Sequence, residues 1–233
     1  MGAGLRVYNK DKILQITDQY KNMSMVSKVD IVIPSSGIYD VSPPYDDIFA
    51  ISCDTEAWVS AFPYGYALDT QTVGTRFIGP AGTTITLYVF GYQDNPKGNH
   101  FNVYDSNGGV VFSDAAKYLR VIDQFSGFGV DDLSYWASDN ENTLNATLQY
   151  FTDLQLFTYT HAEGTKCAVT IGPLVKMIVY ADDWNHFSWY LAQCFKFTST
   201  SITSTVKKIG KKSNTPFTIF NQYSNLIIDV TNY

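Results

Sequence analysis

The chain has 233 residues, of which 45% are apolar and 16% are charged, and its formal net charge at pH 7 is −6. Soluble domains ordinarily carry about 25% charged residues; here tyrosine, phenylalanine, threonine, serine and asparagine replace the missing charge, a mixture that favours strands and turns over long helices. The acidic balance argues against nucleic-acid binding, which needs clustered lysine and arginine, and the lack of an 18-residue apolar run argues against membrane insertion.

Alternating apolar residues predict strands in the first half of the chain. Residues 29–33 carry an apolar side chain at every second position, and the turn-forming residues 34–37 end the run. Residues 79–82 predict a turn. Residues 83–90 follow it with isoleucine, leucine and valine on one face and threonine and tyrosine on the other, which predicts a half-buried strand.

The second half of the chain continues the strand pattern. Within residues 144–156, positions 144–150 alternate strictly and positions 154–156 resume the alternation, which favours a strand, although Ser138 and Glu141 also have the spacing of a helix capping box. Two apolar runs, 167–171 and 174–180, flank a Gly-Pro dipeptide and predict a strand pair or a bent strand, and residues 195–206 also suit a strand. No convincing helix exceeds three turns. The sequence therefore predicts an all-β class, with antiparallel sandwich-like units built from hairpins and little helix.

Three segments share one pattern and align without gaps. They are residues 5–18, 101–114 and 217–230. Each has an apolar residue, then, after one variable position, a Val or Ile, a Tyr or Phe, an Asn or Asp, four turn residues and a second apolar run. The pattern predicts three β-hairpins, the alternative being the general likeness of all hairpins. The spacing of the segments predicts two β-units, residues 1–95 and 96–233, with the last hairpin closing the second.

The middle segment predicts how its hairpin is built. Asp105 opens the turn, because an aspartate side chain accepts a hydrogen bond from the backbone two residues ahead. Gly108 and Gly109 supply positive φ angles without steric cost. The aromatic residue at the fourth position, Tyr104, is predicted to pack and lock the hairpin.

Two of these segments also carry a family resemblance. The stretch "GLRVYNKDKILQITD" at 4–18 and the stretch "FNVYDSNGGVVFSDAAKYLRVID" at 101–123 resemble the small tail-tip and fibre-associated proteins of long-tailed, siphovirus-like bacteriophages. Residues 101–113 and 119–122 match the second hairpin and strand of that family, whereas Lys12 and Ile13 depart from the turn glycine of the first. The resemblance covers about 40 of the 233 residues.

The resemblance implies a structural component of a phage tail, at the tail tip, baseplate or fibre base, and no enzymatic activity. Its partners would be other phage tail proteins, with a host surface receptor or glycan as a further candidate, and no nucleic acid. The chain would belong to a symmetric homo-oligomer or a larger assembly. The implied location is the virion, with assembly in the host cytoplasm. The first 20 residues contain no apolar signal-peptide core, which agrees with synthesis there.

The cysteines agree with a reducing compartment. Cys53, Cys167 and Cys194 are odd in number and widely spaced, so they fit neither a disulfide framework nor a CxxC metal site. We expect all three to be small apolar fillers, in a chain that folds where thiols stay reduced.

Groups with chemical potential are scarce. The carboxylate doublets 46–47 and 131–132, the Asp182–His186 cluster and the lysines around Gly210 are all interpreted as solvated loops or turns. Glycosidase chemistry would need two carboxyl groups at a defined separation, and no nucleophile elbow, P-loop or dinucleotide fingerprint occurs. The sequence therefore predicts no catalytic residue, no metal site and no cofactor.

Aromatic side chains are the better functional candidates. Tyr135, Trp136, Trp184, Tyr39 and Tyr45 are candidate contacts for a partner or a glycan, because exposed Trp and Tyr offer a flat apolar face and a polar tip. Ordinary core aromatics and connecting loops are the alternative. These residues also support an alternative function, a receptor- or carbohydrate-binding module that contacts the host surface. A third function, hydrolysis of a host envelope polymer, would need converging carboxylates.

Overall fold

A computed structural model describes residues 6–8, 14–17, 21–41, 48–65, 73–93, 101–128, 155–171, 177–181, 187–213 and 222–233. All regular elements in these ranges are β-strands, which confirms the all-β class. None of the described residues forms a helix that could span a membrane. The strands are β1 (Arg6–Tyr8), β2 (Leu14–Thr17), β3 (Ser24–Val32), β4 (Ile38–Val41), β5 (Ile48–Cys53), β6 (Trp58–Gly65), β7 (Val73–Ile78), β8 (Thr84–Gly91), β9 (Asn102–Tyr104), β10 (Val110–Ser113), β11 (Val121–Phe128), β12 (Gln155–Thr160), β13 (Cys167–Thr170), β14 (Met177–Ala181), β15 (Phe187–Phe197), β16 (Ser201–Ser213) and β17 (Gln222–Asp229).

Two large antiparallel sheets build a β-sandwich-like fold. Among the described residues, one sheet has the order β11-β17-β13-β5-β8-β3, and the other has the order β12-β16-β15-β6-β7-β4 with β14 paired to β15. One buried cluster joins them: Ile51, Ile85 and Ile227 come from the first sheet, and Phe77 and Phe195 come from the second. The hydrophobic core therefore lies between the sheets, as in a sandwich.

Strand β8 is buried on both faces, not on one as predicted. Its Ile85, Leu87 and Val89 do share a face and lie in the core between the sheets, so the predicted alternation is confirmed. Tyr88 and Phe90 on the other face belong to a second buried cluster on the outside of the sheet. A strand in the interior of a sheet that is covered on both sides has no solvent-facing side.

Each large sheet draws strands from both parts of the chain. β13 pairs with β5 in the first sheet, and β15 pairs with β6 in the second. The predicted boundary at residue 95 is therefore not a boundary between sheets.

Two of the three predicted hairpins are confirmed and the third is wrong. β1 pairs with β2 and β9 pairs with β10, both antiparallel. The predicted turn at residues 222–225 instead lies inside β17, which is a continuous strand between β11 and β13. Its ladder with β11 continues through these residues, and a turn there would break hydrogen bonds in the interior of the sheet.

The β9–β10 turn follows the predicted chemistry with two differences. The Asp105 carboxylate accepts hydrogen bonds from the Asn107 and Gly109 amides, both at 2.8 Å, and Gly108 has a φ of +82°. Gly109 is needed for space rather than for its φ, because a Cβ there would lie 2.9 Å from the Asp105 carboxylate. Tyr104 does not lock the hairpin, since it is 54% exposed.

Three further predictions from the second half are corrected. β13 and β14 lie in different sheets, so residues 167–180 are neither a strand pair nor a bent strand. Residues 195–206 span two paired strands, β15 and β16, and the turn between them. The lysines around Gly210 belong to β16 and not to a loop. Of the predicted strand at 144–156, only the last two residues are described, at the start of β12.

Candidate interaction surface

One side of the sandwich is closed by aromatic rings. Phe125 of β11 and Phe157 of β12 stack with their centroids 4.4 Å apart and their planes 7° apart, and Tyr159 meets Phe125 edge-on. The Tyr223 hydroxyl donates a 3.2 Å hydrogen bond to the Leu156 carbonyl oxygen across the sheets. Among the described strands, β11 and β12 are the last of their sheets on this side, so these contacts close that side of the core.

On the opposite side, no described strand covers the gap between the two sheets. β3 and β4 end their sheets there, and residues 33–37 join the two strands directly. Val29 of β3 lies opposite Leu87, and Tyr39 of β4 lies opposite Phe77; both partners belong to the core. Val29 and Tyr39 therefore lie on the inner faces of their sheets, yet they are 48% and 42% exposed.

We name this surface the open edge and define it by its exposed apolar residues, Val26, Val29 and Val32 of β3 with Ile38 and Tyr39 of β4. Scattered apolar residues on a protein surface need no explanation. Val29 and Tyr39 lie on the inner faces of their sheets, whereas Val32 and Ile38, opposite Thr84 and Ile78, lie on the outer faces of the same two edge strands. Exposed apolar residues gathered along two adjoining edge strands mark a candidate protein–protein contact.

Charged groups border the open edge on the outer faces of the strands. The Lys28 ammonium lies 5.6 Å from the centre of the Tyr88 ring and donates a 3.2 Å hydrogen bond to the Tyr233 carbonyl oxygen. The Asp30 carboxylate accepts a 2.7 Å hydrogen bond from the Thr86 hydroxyl. Both charges are thus held along their own sheet while remaining exposed.

An ion pair marks the outer face of β4. The Arg76 guanidinium donates two hydrogen bonds of 2.8 Å to the Asp40 carboxylate. Asp40 and Tyr39 are successive residues of the strand, so their side chains point to opposite faces of the sheet. The ion pair and the Tyr39 ring do not converge on one ligand.

A cleft of about 420 Å³ lies between loops at one end of the sandwich and brings several titratable residues together. It is lined by Asp54, Glu56, His161, Lys166 and Cys167, among others. Lys166 pairs with Asp54 at 3.4 Å, and both side chains are largely exposed, so the pair adds little stability. In the part of the chain that is described, no three His, Cys, Asp or Glu side chains are placed to hold a metal ion.

The three cysteines are free and buried, which confirms the prediction that they fill space. Burial, with a smaller contribution from the Asp229 carboxylate, raises the pKa of the Cys167 thiol to about 11. A nucleophilic cysteine needs the opposite shift, because the thiolate is the reactive form.

We therefore expect native thiols to resist alkylation. At pH 8 a pKa near 11 leaves Cys167 roughly 100-fold less thiolate than an ordinary cysteine. Iodoacetamide at pH 8 should modify the native chain much more slowly than the unfolded chain in guanidinium chloride, which should take up three adducts, one for each free cysteine. Intact-mass spectrometry counts the adducts, and rapid stoichiometric labelling of native Cys167 would contradict the assignment.

The structure describes one of the five predicted contact residues. Tyr39 is exposed at the open edge. Tyr45, Tyr135, Trp136 and Trp184 lie outside the described residues.

The carboxylate doublets and the Asp182–His186 cluster also lie outside the described residues. The exposure of the three valines of β3 could not be predicted from the sequence, because alternation shows which face a side chain takes but not that its strand ends a sheet. We find no match of this chain to a protein-family model, a curated protein or a solved structure.

Proposed function

We propose that this protein is a structural component of a bacteriophage tail, at the tail tip, baseplate or fibre base, and that it acts by protein–protein assembly. The open edge is the observation that carries the proposal. The resemblance of residues 101–123 to phage tail proteins supplies the setting, and the sandwich-like fold supplies a rigid support for an interface.

The inner faces of the two edge strands carry apolar side chains that the sandwich leaves exposed. Val29 and Tyr39 face the core side of their sheets, but each is about half exposed because its strand is the last one. Covering them with a neighbouring subunit would remove apolar surface from water, which stabilises by about 25 cal/mol per Å². A stable interface buries about 1,200–2,000 Å² in total, so the open edge would be the centre of a larger contact.

The remaining features fit the same setting. Other phage tail proteins would be the partners, and the virion would be the location. Three buried free thiols suit a chain that folds in the reducing host cytoplasm before it is assembled.

The receptor- or carbohydrate-binding alternative depends on Tyr135, Trp136, Trp184 and Tyr45, which lie outside the described residues. Tyr39 gives it little support, because the nearby Arg76–Asp40 pair is on the opposite face of the strand. Assembly is therefore the function that the described surface supports best.

Immunogold electron microscopy tests the proposal. An antibody raised against the purified protein should label the distal end of phage tails released from the bacterium that produces this chain, and pre-immune serum should not. Particles with intact tails that carry no label, together with protein found only free in the lysate, would contradict a role in the tail.

A paired substitution tests the surface. Changing Val29 and Tyr39 to lysine should reduce incorporation into tails, because two charges would enter an apolar contact. Tyr104→Lys is the matched control, since Tyr104 is similarly exposed but lies on the β9–β10 hairpin. Equal incorporation of both variants, each with an unchanged melting temperature, would exclude the open edge as the assembly surface.

A further inference from the structure

We infer that the free edge of β3 pairs with β3 of a second copy of this chain, in an antiparallel register centred on Val29. The inference rests on the proposed assembly function and specifies one of its contacts. The paired strands would join two six-stranded sheets into one continuous sheet about a two-fold axis.

The backbone of β3 offers the donors and acceptors for such a pair. Ile33 bonds toward β8 through both its amide and its carbonyl, and backbone groups alternate in direction along a strand. The backbone N–H and C=O groups of Ile31 and Val29 therefore also point to β8. Those of Lys28, Asp30 and Val32 point outward, away from the sheet. Among the described residues, the outward edge is covered only near its start, where residues 117–119 bond to Met23 and Met25.

Charge complementarity selects the register. A two-fold axis at Val29 places Lys28 opposite Asp30 of the second copy and Asp30 opposite Lys28, so the dimer gains two opposite-charge pairs. An axis at residue 28 or residue 30 would instead place identical charges directly opposite each other, which is unfavourable. The side chains of Lys28 and Asp30 share the outer face of the sheet, so the paired charges would meet on one side.

Apolar residues agree with the same register. Val29, 48% exposed, would meet its own copy at the axis on the inner face of the joined sheets. Val32, 59% exposed, would lie opposite the bulge at Val26 of the second strand, where the β3 register shifts between Met25 and Ser27. Pairing would thus cover the exposed side chains of Val26, Val29 and Val32 in each copy.

Natural edge strands often avoid pairing by means of an outward lysine or a bulge. Here neither device blocks the edge. The Lys28 ammonium lies over the Tyr88 ring of its own sheet and bonds to the Tyr233 carbonyl oxygen of its own chain. The bulge lies next to the end that residues 117–119 already cover.

A disulfide trap tests the register with the purified chain alone. Val29→Cys should form an intermolecular disulfide under mild oxidation, because the two copies would face each other across the axis within disulfide reach. The product should migrate at about twice the 26.1 kDa of the chain. Val32→Cys is the matched control, since it is more exposed but has no copy of itself opposite. The wild-type chain, with buried thiols, should stay uncrosslinked.

A charge exchange tests the complementarity. Lys28→Asp or Asp30→Lys alone should weaken dimerisation roughly tenfold in sedimentation equilibrium, since each creates two like-charge pairs. The double exchange should restore it. Thermal melting of each variant shows that the fold is retained.

The inference is overturned if Val29→Cys remains monomeric under oxidation, if Val32→Cys crosslinks as well as Val29→Cys does, or if the double exchange dimerises no better than the single ones. Any of these results combined with gold label on tails would leave the tail function standing and remove only the self-pairing. A specific Val29→Cys crosslink without gold label on tails would support the self-pairing and contradict the tail function.

Discussion

Truncating Phe195 to alanine should lower the free energy of unfolding by about 4 kcal/mol, the range found when a buried phenylalanine is removed from a packed core. Phe195 is 1% exposed and lies in β15 between β6 and β16. Its ring centroid is 6.5 Å from that of Phe157, which in turn stacks on Phe125. The cavity would therefore remove support from the stack that closes the sandwich.

Thermal unfolding followed by circular dichroism measures the effect. For a chain of this size we expect the melting temperature to fall by roughly 8–16 °C. Tyr104→Ala is the control, because Tyr104 is mostly exposed and its loss should change the free energy of unfolding by no more than about 0.5 kcal/mol. Similar losses for both variants would show that the core is not centred between the two sheets.

Local patterns in the sequence predicted the positions of the strands better than they predicted which strands pair. The alternation at 29–33 and 83–90 identified β3 and β8, because the side chains of a strand alternate wherever the strand lies. The choice of Asp105 and Gly108 identified a hairpin turn, since turn geometry depends on a few adjacent residues. Sheet order depends on contacts between distant residues, so the pairing of β5 with β13 could not be derived from either segment.

The third hairpin shows why such patterns mislead. The polar residues 222–225 have the composition of a turn, but Asn225 is buried because its amide finds partners on distant strands. Prediction of the open edge is limited in the same way, because it also depends on contacts between distant residues. The alternation grouped Val29 with Ile31 and Ile33 on one face, which the structure turns inward. Its exposure follows from β3 being the last described strand of the sheet, which only the strand pairing reveals.

A buried polar network links the two sheets at Asn225. The Gln193 side-chain amide of β15 donates 2.8 Å hydrogen bonds to the Ser204 hydroxyl and to the Asn225 side-chain oxygen. Asn225 of β17 donates a 2.9 Å hydrogen bond to the Thr170 carbonyl oxygen of β13. All four residues are buried, and the Gln193–Asn225 bond crosses the core from one sheet to the other. The network therefore fixes how the sheets are aligned.

Replacing Asn225 with leucine should cost about 2–4 kcal/mol, because it leaves a Gln193 donor and the Thr170 carbonyl without their partner in a region from which water is excluded. Gln193→Leu should cost a similar amount. The double variant should be at least about 1 kcal/mol more stable than the sum of the two losses predicts, since it removes both members of the hydrogen bond and leaves neither of them buried without its partner. Urea unfolding of the four proteins measures the coupling. Losses that add within about 0.5 kcal/mol would mean that Gln193 and Asn225 act independently, and that the sheets are aligned by apolar packing alone.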